Sequence, residues 1–298
     1  MKRLALISAG LLLLGACSQA AALDEVSVSD GDIPAVTNAK VAVDNTIVRV
    51  VAEGDGDEIE SGDLISVNYI AINGRTGDEF YNSFATKTPM TLNVTEGRIL
   101  LGFVKALEGA NVGSRLLVAI PPKDGFAGAN SQFGLEEDDT MVFLFDILEK
   151  ISPAAAGQEV KAPDWVPAFA LEDGKPKDFA KTATTPTEVD ELSAHVIIKG
   201  QGPEVKAGQS ITVQYHGQVF PDGEVFDSSW AKQTGPATFQ IGAGAVIKCW
   251  DEGLVGKTVG SRVILICPSD AAYGDTGQGD VIKPGDTLIF AVDLLAAN

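Results

Sequence analysis

The chain has little of what most catalytic centres are built from. Its 298 residues include two histidines and three cysteines, and 41 acidic residues outnumber 22 basic ones. With histidine only at His195 and His216, neither a metal site nor a Ser-His-Asp triad is well supported. A net charge of −19 without a Lys/Arg cluster beyond the first three residues argues against nucleic acid as a partner and against a polybasic hold on anionic lipid. We expect no metal and no cofactor.

The N-terminus has the pattern of an export signal. Two bases precede an apolar run over residues 4–14, which is shorter than the roughly 20 residues that span a bilayer. The sequence LGAC, ending at Cys17, resembles the bacterial lipobox, which implies cleavage before the cysteine and a lipid on its sulfur. We therefore expect residues 1–16 to be a lipoprotein signal peptide and the exported chain to be lipid-anchored through Cys17 to the extracytoplasmic face of a bacterial membrane. The alternative is an ordinary signal peptide with an incidental cysteine.

The rest of the chain contains an internal repeat. The tetrapeptide VGSR occurs at 112–115 and 259–262, an offset of 147 residues (259 − 112). That offset holds without a gap from Pro89/Pro236 to Leu148/Leu295, whereas Tyr69/Tyr215 and Phe80/Phe226 match at 146. Because this period is too long for a solenoid, the repeat predicts a duplicated globular domain, at residues 46–152 and 191–298.

Two segments outside the repeat have the composition of linkers. Residues 17–45 are small, polar and acidic, which predicts a flexible tether. Residues 153–190 carry five prolines among Ala, Lys, Thr and Asp, which predicts a semi-extended, solvated linker. The alternative for the second segment is that Trp165, Val166 and Phe169 dock on a domain.

Each copy is predicted to be mainly β-strand with one short helix. The stretch SITVQYHG alternates apolar and polar residues, which places Tyr215 on a buried face and His216 on a solvent face. Only residues 99–107 and 246–254 have a helical pattern. Several antiparallel strands with one helix predict the α+β class.

The two remaining cysteines, Cys249 and Cys267, are 18 residues apart. In an exported protein a disulfide between them is plausible chemistry. Sequence alone does not give the distance between their Cα atoms. A disulfide and a pair of buried thiols therefore both stay open.

Four stretches of the second copy carry a family resemblance: YHGQVFPDGEVFDSSW, FQIGAGAVIKCWDEGL, VGSRVILICP and AAYGDTGQGDVIKPGDTLIFAVDLL. In order and spacing, from about residue 197 to 295, they resemble the FKBP-type peptidyl-prolyl cis-trans isomerases. The resemblance implies two tandem FKBP-like domains, each a twisted antiparallel sheet curved around one short α-helix. It also implies prolyl-containing or unfolded exported polypeptides as substrates, and macrolides such as rapamycin or tacrolimus as inhibitors.

The resemblance assigns ten pocket residues in the second copy. Trp250 is implied as the floor and Tyr215, Phe226 and Phe290 as walls, with Val246 and Ile247 before the helix, Tyr273 as a hydroxyl donor, Val281 and Ile282 as the lip, and Asp227 as the rim acid. The Ile247 amide is implied as the donor to a bound carbonyl. For Asp227 two roles stay open: ordering the rim through a hydrogen bond to Tyr215 or a loop amide, or facing the carbonyl carbon of the twisted amide. Ala237, Gln278 and Cys249 depart from the family pattern, which predicts a wider pocket.

The first copy departs further from that pattern. It has Tyr81 in place of Asp227, Phe103 in place of Trp250, and Phe126 in place of Tyr273. We therefore predict a degenerate first domain and isomerase activity mainly in the second. The alternative from another class is a non-catalytic prolyl-peptide-binding or holdase chaperone module at the cell surface.

Overall fold

The computed structural model describes residues 21–126, 128–232 and 235–298. The expected signal peptide and Cys17 lie outside these residues. The chain divides into two compact units, Met1–Lys150 and Ile151–Asn298. Among the described residues, no helix is both long enough and apolar enough to cross a membrane.

The N-terminal unit is an antiparallel sheet with few helices. Its strands are β1 (Ser27–Val28), β2 (Val36–Thr37), β3 (Ile47–Ala52), β4 (Leu64–Asn73), β5 (Glu79–Asn82), β6 (Met90–Asn93), β7 (Arg115–Ile120) and β8 (Met141–Ile151), and its α-helices are α1 (Ser83–Thr86) and α2 (Leu101–Leu107). The main sheet has the order β3-β7-β8-β4-β5, with β6 also paired to β4. β1 and β2 pair with each other in a separate two-stranded sheet.

The C-terminal unit repeats this plan. Its strands are β9 (Gln158–Glu159), β10 (Leu171–Glu172), β11 (Lys175–Pro176), β12 (Ser193–Lys199), β13 (Ser210–Val219), β14 (Val225–Ser228), β15 (Ala237–Gln240), β16 (Arg262–Cys267) and β17 (Leu288–Ala297), with one α-helix, α3 (Lys248–Leu254). The sheet order is β14-β13-β17-β16-β12-β9, with β15 also paired to β13. The α+β prediction of a sheet against one principal helix is therefore confirmed for both copies.

In each unit one face of the sheet packs on the helix. In the C-terminal unit Trp250 and Leu254 of α3 belong to the same buried cluster as Val213, Leu265 and Val292 of three central strands. In the N-terminal unit α2 packs in the same way on β7 and β8. Burying the apolar stripe of the helix against the sheet gives each unit its own core.

The other face of the N-terminal sheet is covered by residues that were expected to be a flexible tether. Leu23, Val26 and Val43 are buried in one cluster with Ile72 and Leu117 of the sheet. The prediction is therefore wrong for residues 21–45. The physical reason is that β4, β7 and β8 carry apolar side chains on both faces, so the second face also has to be buried.

The prediction of a solvated linker at 153–190 is wrong for the same reason. Val166 and Phe179 are buried with Ile264 and Ile289, on the face of the sheet opposite to α3. At the start of this segment β9 pairs antiparallel with β12. The docked alternative describes the segment correctly, and near-continuous apolar strands such as RVILIC are the pattern that points to it.

The docked segment also buries a histidine. His216 was expected on a solvent face, but its side chain is 3% exposed. Its ring lies 6.1 Å from that of Phe169 and 6.0 Å from that of Phe179, measured between centroids. Burial lowers the pKa of His216, which favours the neutral imidazole.

Candidate active site

A cavity of about 690 Å³ opens between the sheet and the helix of the C-terminal unit. All ten residues that the family resemblance assigned to the pocket line this cavity, together with Phe239, Ala245, Gln278, Gly279 and Asp280. These lining residues come from seven places in the chain: β13, β14, β15, the turn before α3, α3 itself, the loop 268–287 and β17. The fold thus collects residues that are up to 75 positions apart (290 − 215) around one concave surface.

The base of the cavity is the indole of Trp250, the third residue of α3. Its ring centroid lies 5.5 Å from Tyr215, 5.3 Å from Phe239 and 5.5 Å from Phe290. All three rings are nearly perpendicular to the indole, at 80°, 79° and 86°. Such edge-to-face contacts are favourable, and here they hold three rings around the flat indole surface.

A glycine on β13 makes room for the fourth ring. A Cβ at Gly217 would lie 2.6 Å from two atoms of the Phe226 ring and 2.9 Å from the Phe290 ring. With no side chain there, Phe226 packs edge-to-face on Phe290 at a centroid distance of 5.4 Å. The equivalent residue of the N-terminal unit is Ala71 (217 − 146), so this close approach is specific to the C-terminal sheet.

The turn before α3 is held by the helix that follows it. Both carboxylate oxygens of Asp251 accept backbone hydrogen bonds, from Gly242 at 2.6 Å and from Gly244 at 2.7 Å. Both glycines have positive φ values of 69° and 75°, a conformation that few other residues adopt. This arrangement fixes the backbone that leads into Ala245, Val246 and Ile247 at the cavity wall.

Two carboxylates line the cavity, Asp227 and Asp280, and both oxygens of Asp227 have a partner. Its Oδ2 accepts a hydrogen bond from the Tyr215 hydroxyl at 2.5 Å, and its Oδ1 lies 2.6 Å from Lys232 Nζ. Burial alone would raise the pKa of Asp227, but the hydrogen bonds from Lys232 and Tyr215 outweigh burial and hold the pKa below its usual value. Burial, followed by the hydrogen bond to Asp227, raises the pKa of Tyr215, so its hydroxyl keeps its proton.

The hairpin that carries Asp227 is tied to β13 by a serine. Ser229 Oγ accepts a hydrogen bond from the backbone N–H of Tyr215 at 2.8 Å and donates one to Gln214 at 2.5 Å. The N-terminal unit has the same tie, since Ser83 Oγ accepts from the Tyr69 N–H at 2.7 Å. The serine tie is therefore common to both units, and the acid before it is not.

A disulfide lies directly beneath the floor. Cys249, the neighbour of Trp250 on α3, is bonded to Cys267 at the end of β16, with Cα atoms 5.5 Å apart. Of the two alternatives left open by the sequence, the structure has the bridge. It joins the helix that carries the floor to the strand that leads into the loop with Tyr273, Val281 and Ile282.

Two contributors were missed in the sequence. Phe239 was not assigned to the pocket, although it lies two residues after Ala237, on the same inward face of β15, and contacts both Tyr215 and Trp250. Lys232 was not considered as the partner of Asp227. One sequence signal could have identified this pair: Lys232 follows Asp227 by five residues in a short connection, so the two opposite charges can come into contact.

The equivalent place in the N-terminal unit is filled by its own aromatic rings. Phe133, at the end of a 3₁₀ turn, stacks on Phe80 at 5.2 Å and on Phe126 at 5.8 Å. Tyr81, which replaces the acid, stacks on Tyr69 at 4.7 Å with the ring planes 14° apart. A phenol ring pair thus stands where the C-terminal unit has a charged Tyr–Asp–Lys group.

Comparison with known proteins gives the same assignment for both units. The family model described as FKBP-type peptidyl-prolyl cis-trans isomerase matches twice, at residues 56–148 and 202–295. An "FK506-binding protein" of Streptomyces anulatus is 50% identical over 107 residues, which cover 36% of this chain and 86% of that protein. "FK506-binding protein 1" of Rhizopus delemar is 45% identical over 108 residues, covering 36% of this chain and 98% of that protein.

Among solved structures, the three FKBP domains of wheat FKBP73 align over 85% of this chain and 95% of that one, with 21% identity and a TM-score of 0.35. The two family matches together span more than half of the chain and coincide with its two sheet-and-helix units. The chain therefore belongs to the FKBP-type peptidyl-prolyl cis-trans isomerases, with two domains of that family in tandem.

Proposed function

We propose that the C-terminal domain carries most of the peptidyl-prolyl isomerase activity of this enzyme, and that its substrates are exported polypeptides. The observation that carries the first part is the open aromatic cavity around Trp250, with all ten assigned residues on its wall. In the N-terminal domain, Phe133 stacks on the rings at the equivalent position.

The chemistry of proline isomerisation suits such a cavity. Rotation about an X-Pro amide meets a barrier of about 18–20 kcal/mol because the planar amide is stabilised by resonance. The twisted amide at the midpoint has lost that resonance and is less polar. A wall of Phe226, Trp250 and Phe290 disfavours the charge-separated planar form relative to the twisted one. Lowering the barrier by about 7 kcal/mol would accelerate the rotation by about 10⁵-fold.

Asp227 serves this cavity first by ordering its rim. Its two oxygens are held by Tyr215 and Lys232, which leaves the carboxylate fixed beside the Phe226 ring that it follows in sequence. A fixed negative charge at 33% side-chain exposure is also positioned to interact with the carbonyl carbon of a twisted amide at the rim. We propose that Asp227 fills both roles, and that Tyr273 and the Ile247 amide bind substrate carbonyl groups.

Export is supported by the N-terminal sequence and by the cysteines. The LGAC sequence ending at Cys17 is the basis for a lipid anchor on the outer side of a bacterial membrane. The Cys249–Cys267 disulfide agrees with an oxidising compartment. Labelling cells with a radioactive fatty acid tests the anchor: the label should enter the native chain and not the Cys17→Ala variant, and equal labelling of both would contradict it.

The experiment that tests the activity is a rapamycin titration of the full chain in a protease-coupled prolyl isomerisation assay. The names of the relatives are the reason to expect macrolides such as rapamycin or tacrolimus to bind here. We expect one rapamycin per chain, and loss of most of the activity at that ratio. Two equivalents needed for full inhibition would assign activity to both domains. No turnover, together with suppression of client aggregation, would favour a holdase chaperone instead.

The pocket predicts a flat pH profile between about pH 5 and pH 9, because the carboxylate of Asp227 titrates below this range and the hydroxyl of Tyr215 above it. With its pKa lowered, the Asp227 carboxylate supports the rim at all higher pH values and loses this role only as pH falls through its folded-state pKa. The two histidines of the chain lie outside the cavity lining. kcat/KM should be measured with a substrate that has no ionisable side chain, and a midpoint near pH 6 to 7 would contradict the prediction.

A further inference from the structure

The edge strand β3 of the N-terminal domain exposes apolar side chains. Val48, Val50 and Val51 are 41%, 49% and 36% exposed, in a strand of sequence IVRVVA. β3 is the terminal strand of its sheet, and among the described residues no strand pairs with its outer edge. An exposed edge of β-branched residues without proline is a template for pairing with another extended chain.

In the C-terminal domain, the edge that is equivalent to the outer edge of β3 is covered by another strand. Its equivalent strand, β12, is paired antiparallel along the outer edge by β9, with Ile198 opposite Glu159 and Lys199 opposite Gln158. The ladder continues with a hydrogen bond from the Val160 N–H to the Ile197 carbonyl at 2.9 Å. The occupant is therefore an extended segment that binds through its backbone.

The equivalence of the two edges is fixed by register. Val48 pairs with Val118, and Ala194 pairs with Leu265, which is Val118 plus the repeat offset of 147. Further along the same strands, Ile198 pairs with Arg262 and Ala52 pairs with Arg115, which is Arg262 minus 147. β9 pairs with the outer edge of β12 at Ile198, whereas Ala52 is exposed and, among the described residues, has no strand outside it.

The charge next to β3 indicates the chemistry of the occupant. The strand leads directly into GDGDE at 54–58, and Glu53, Asp55, Asp57 and Glu58 are all exposed. The equivalent stretch of the C-terminal domain, GQGPE at 200–204, keeps only the last of these acids. An occupant with Lys or Arg beside its apolar residues would neutralise this local charge.

We propose that β3 is a docking edge for extended segments of unfolded polypeptides, with apolar side chains at alternate positions and basic residues at their ends. The segment adds to the sheet antiparallel or parallel through backbone hydrogen bonds, and its lysines or arginines face the acids at 53–58. Docking at this edge does not require proline. It is a second binding site, separate from the isomerase cavity.

The probe for this site is a proline-free peptide of alternating valine and threonine with two lysines at each end. With the full chain, we expect hydrogen-exchange protection over residues 47–52 in its presence. The double substitution Val48→Lys/Val50→Lys should weaken its binding at least tenfold, because it puts repelling charge along the edge. Ile33→Lys is the control: it adds one lysine at a side chain that is 58% exposed and lies outside the sheet, and binding should change less than twofold.

A second variant keeps the test decisive if the lysine substitutions unfold the domain. Glu53→Gln/Asp55→Asn/Asp57→Asn leaves the edge intact and should weaken the peptide and flatten the salt dependence of its binding. The proposal is overturned if the peptide does not bind, if protection falls outside 47–52, or if neither variant weakens it. Sedimentation that shows chains paired through this edge would also overturn it, because the occupant would then be a second copy.

Discussion

Replacing Phe226 by alanine should lower kcat/KM of the full chain for prolyl peptides by about 30- to 100-fold, equivalent to about 2–3 kcal/mol of transition-state stabilisation. The ring forms one wall of the cavity and packs edge-to-face on Phe290 at 5.4 Å. Without it, water can reach a bound amide and solvate its planar, charge-separated form, which removes the advantage of the apolar wall. The protease-coupled assay measures the loss directly.

The matched control for Phe226→Ala is Phe80→Ala in the N-terminal domain. Phe80 occupies the equivalent position (226 − 146) but stacks on Phe133 of its own domain. We expect less than a twofold change in kcat/KM for this variant. Equal losses for the two variants would mean that both domains turn over substrate, and a circular dichroism melt of each variant shows whether a loss reflects unfolding.

Replacing Asp293 by alanine should destabilise the C-terminal domain by about 3–5 kcal/mol, the usual cost of leaving a buried charge without its partner. Asp293 and Arg262 form a paired contact at 2.6 and 2.7 Å, with side chains 0% and 9% exposed. The same carboxylate accepts a hydrogen bond from the Ala155 N–H at 2.8 Å. Arg262 also lies over the ring of Phe169, at 5.4 Å.

Ala155 and Phe169 both belong to the docked segment 153–190. Asp293→Ala should therefore release this segment from the sheet, including β9, which pairs with the outer edge of β12. Hydrogen exchange, read domain by domain in the full chain, is the suitable measurement since the chain has two folding units. The control is Asp146→Ala, which breaks the equivalent pair with Arg115 at 2.6 and 2.7 Å. Those side chains are 22% and 18% exposed, so water can solvate the remaining charge and the loss should be clearly smaller. Equal losses would contradict the role assigned to burial.

The parts of the fold that could be predicted are those that depend on local pattern. The repeat offset located both domains, and the alternation around Tyr215 placed this residue on the core face. The outer faces were missed because a segment rich in proline and alanine has the composition of a linker whether or not it docks. The prediction that His216 lies on a solvent face was wrong for this reason. Its burial depends on Phe169 and Phe179, which come from a different part of the chain.

The candidate site shows the same limit. Phe226 and Trp250 could be assigned because the motifs that contain them resemble the family in order and spacing. Phe133 could not be assigned in this way. Its equivalent in the C-terminal domain is Asp280, which is not aromatic, and the stacking of Phe133 on Phe80 depends on the path of the loop that carries it. The Asp227–Lys232 contact likewise depends on the path of the hairpin and not on the identity of either residue.

The contact between the helix and the strand beneath the pocket floor is made differently in the two domains. The positions of Cys249 and Cys267 correspond to Gly102 and Ile120 in the N-terminal domain (each minus 147). A Cβ at Gly102 would lie 2.5 Å from Ile120 Cγ2. The space that a side chain at position 102 would need is therefore occupied by the larger side chain of Ile120. Helix and strand therefore hold together in this fold by shape alone. The covalent bond of the C-terminal domain is an addition to a joint that already fits, and it restrains sliding between the two elements that support the indole and the loop opposite it.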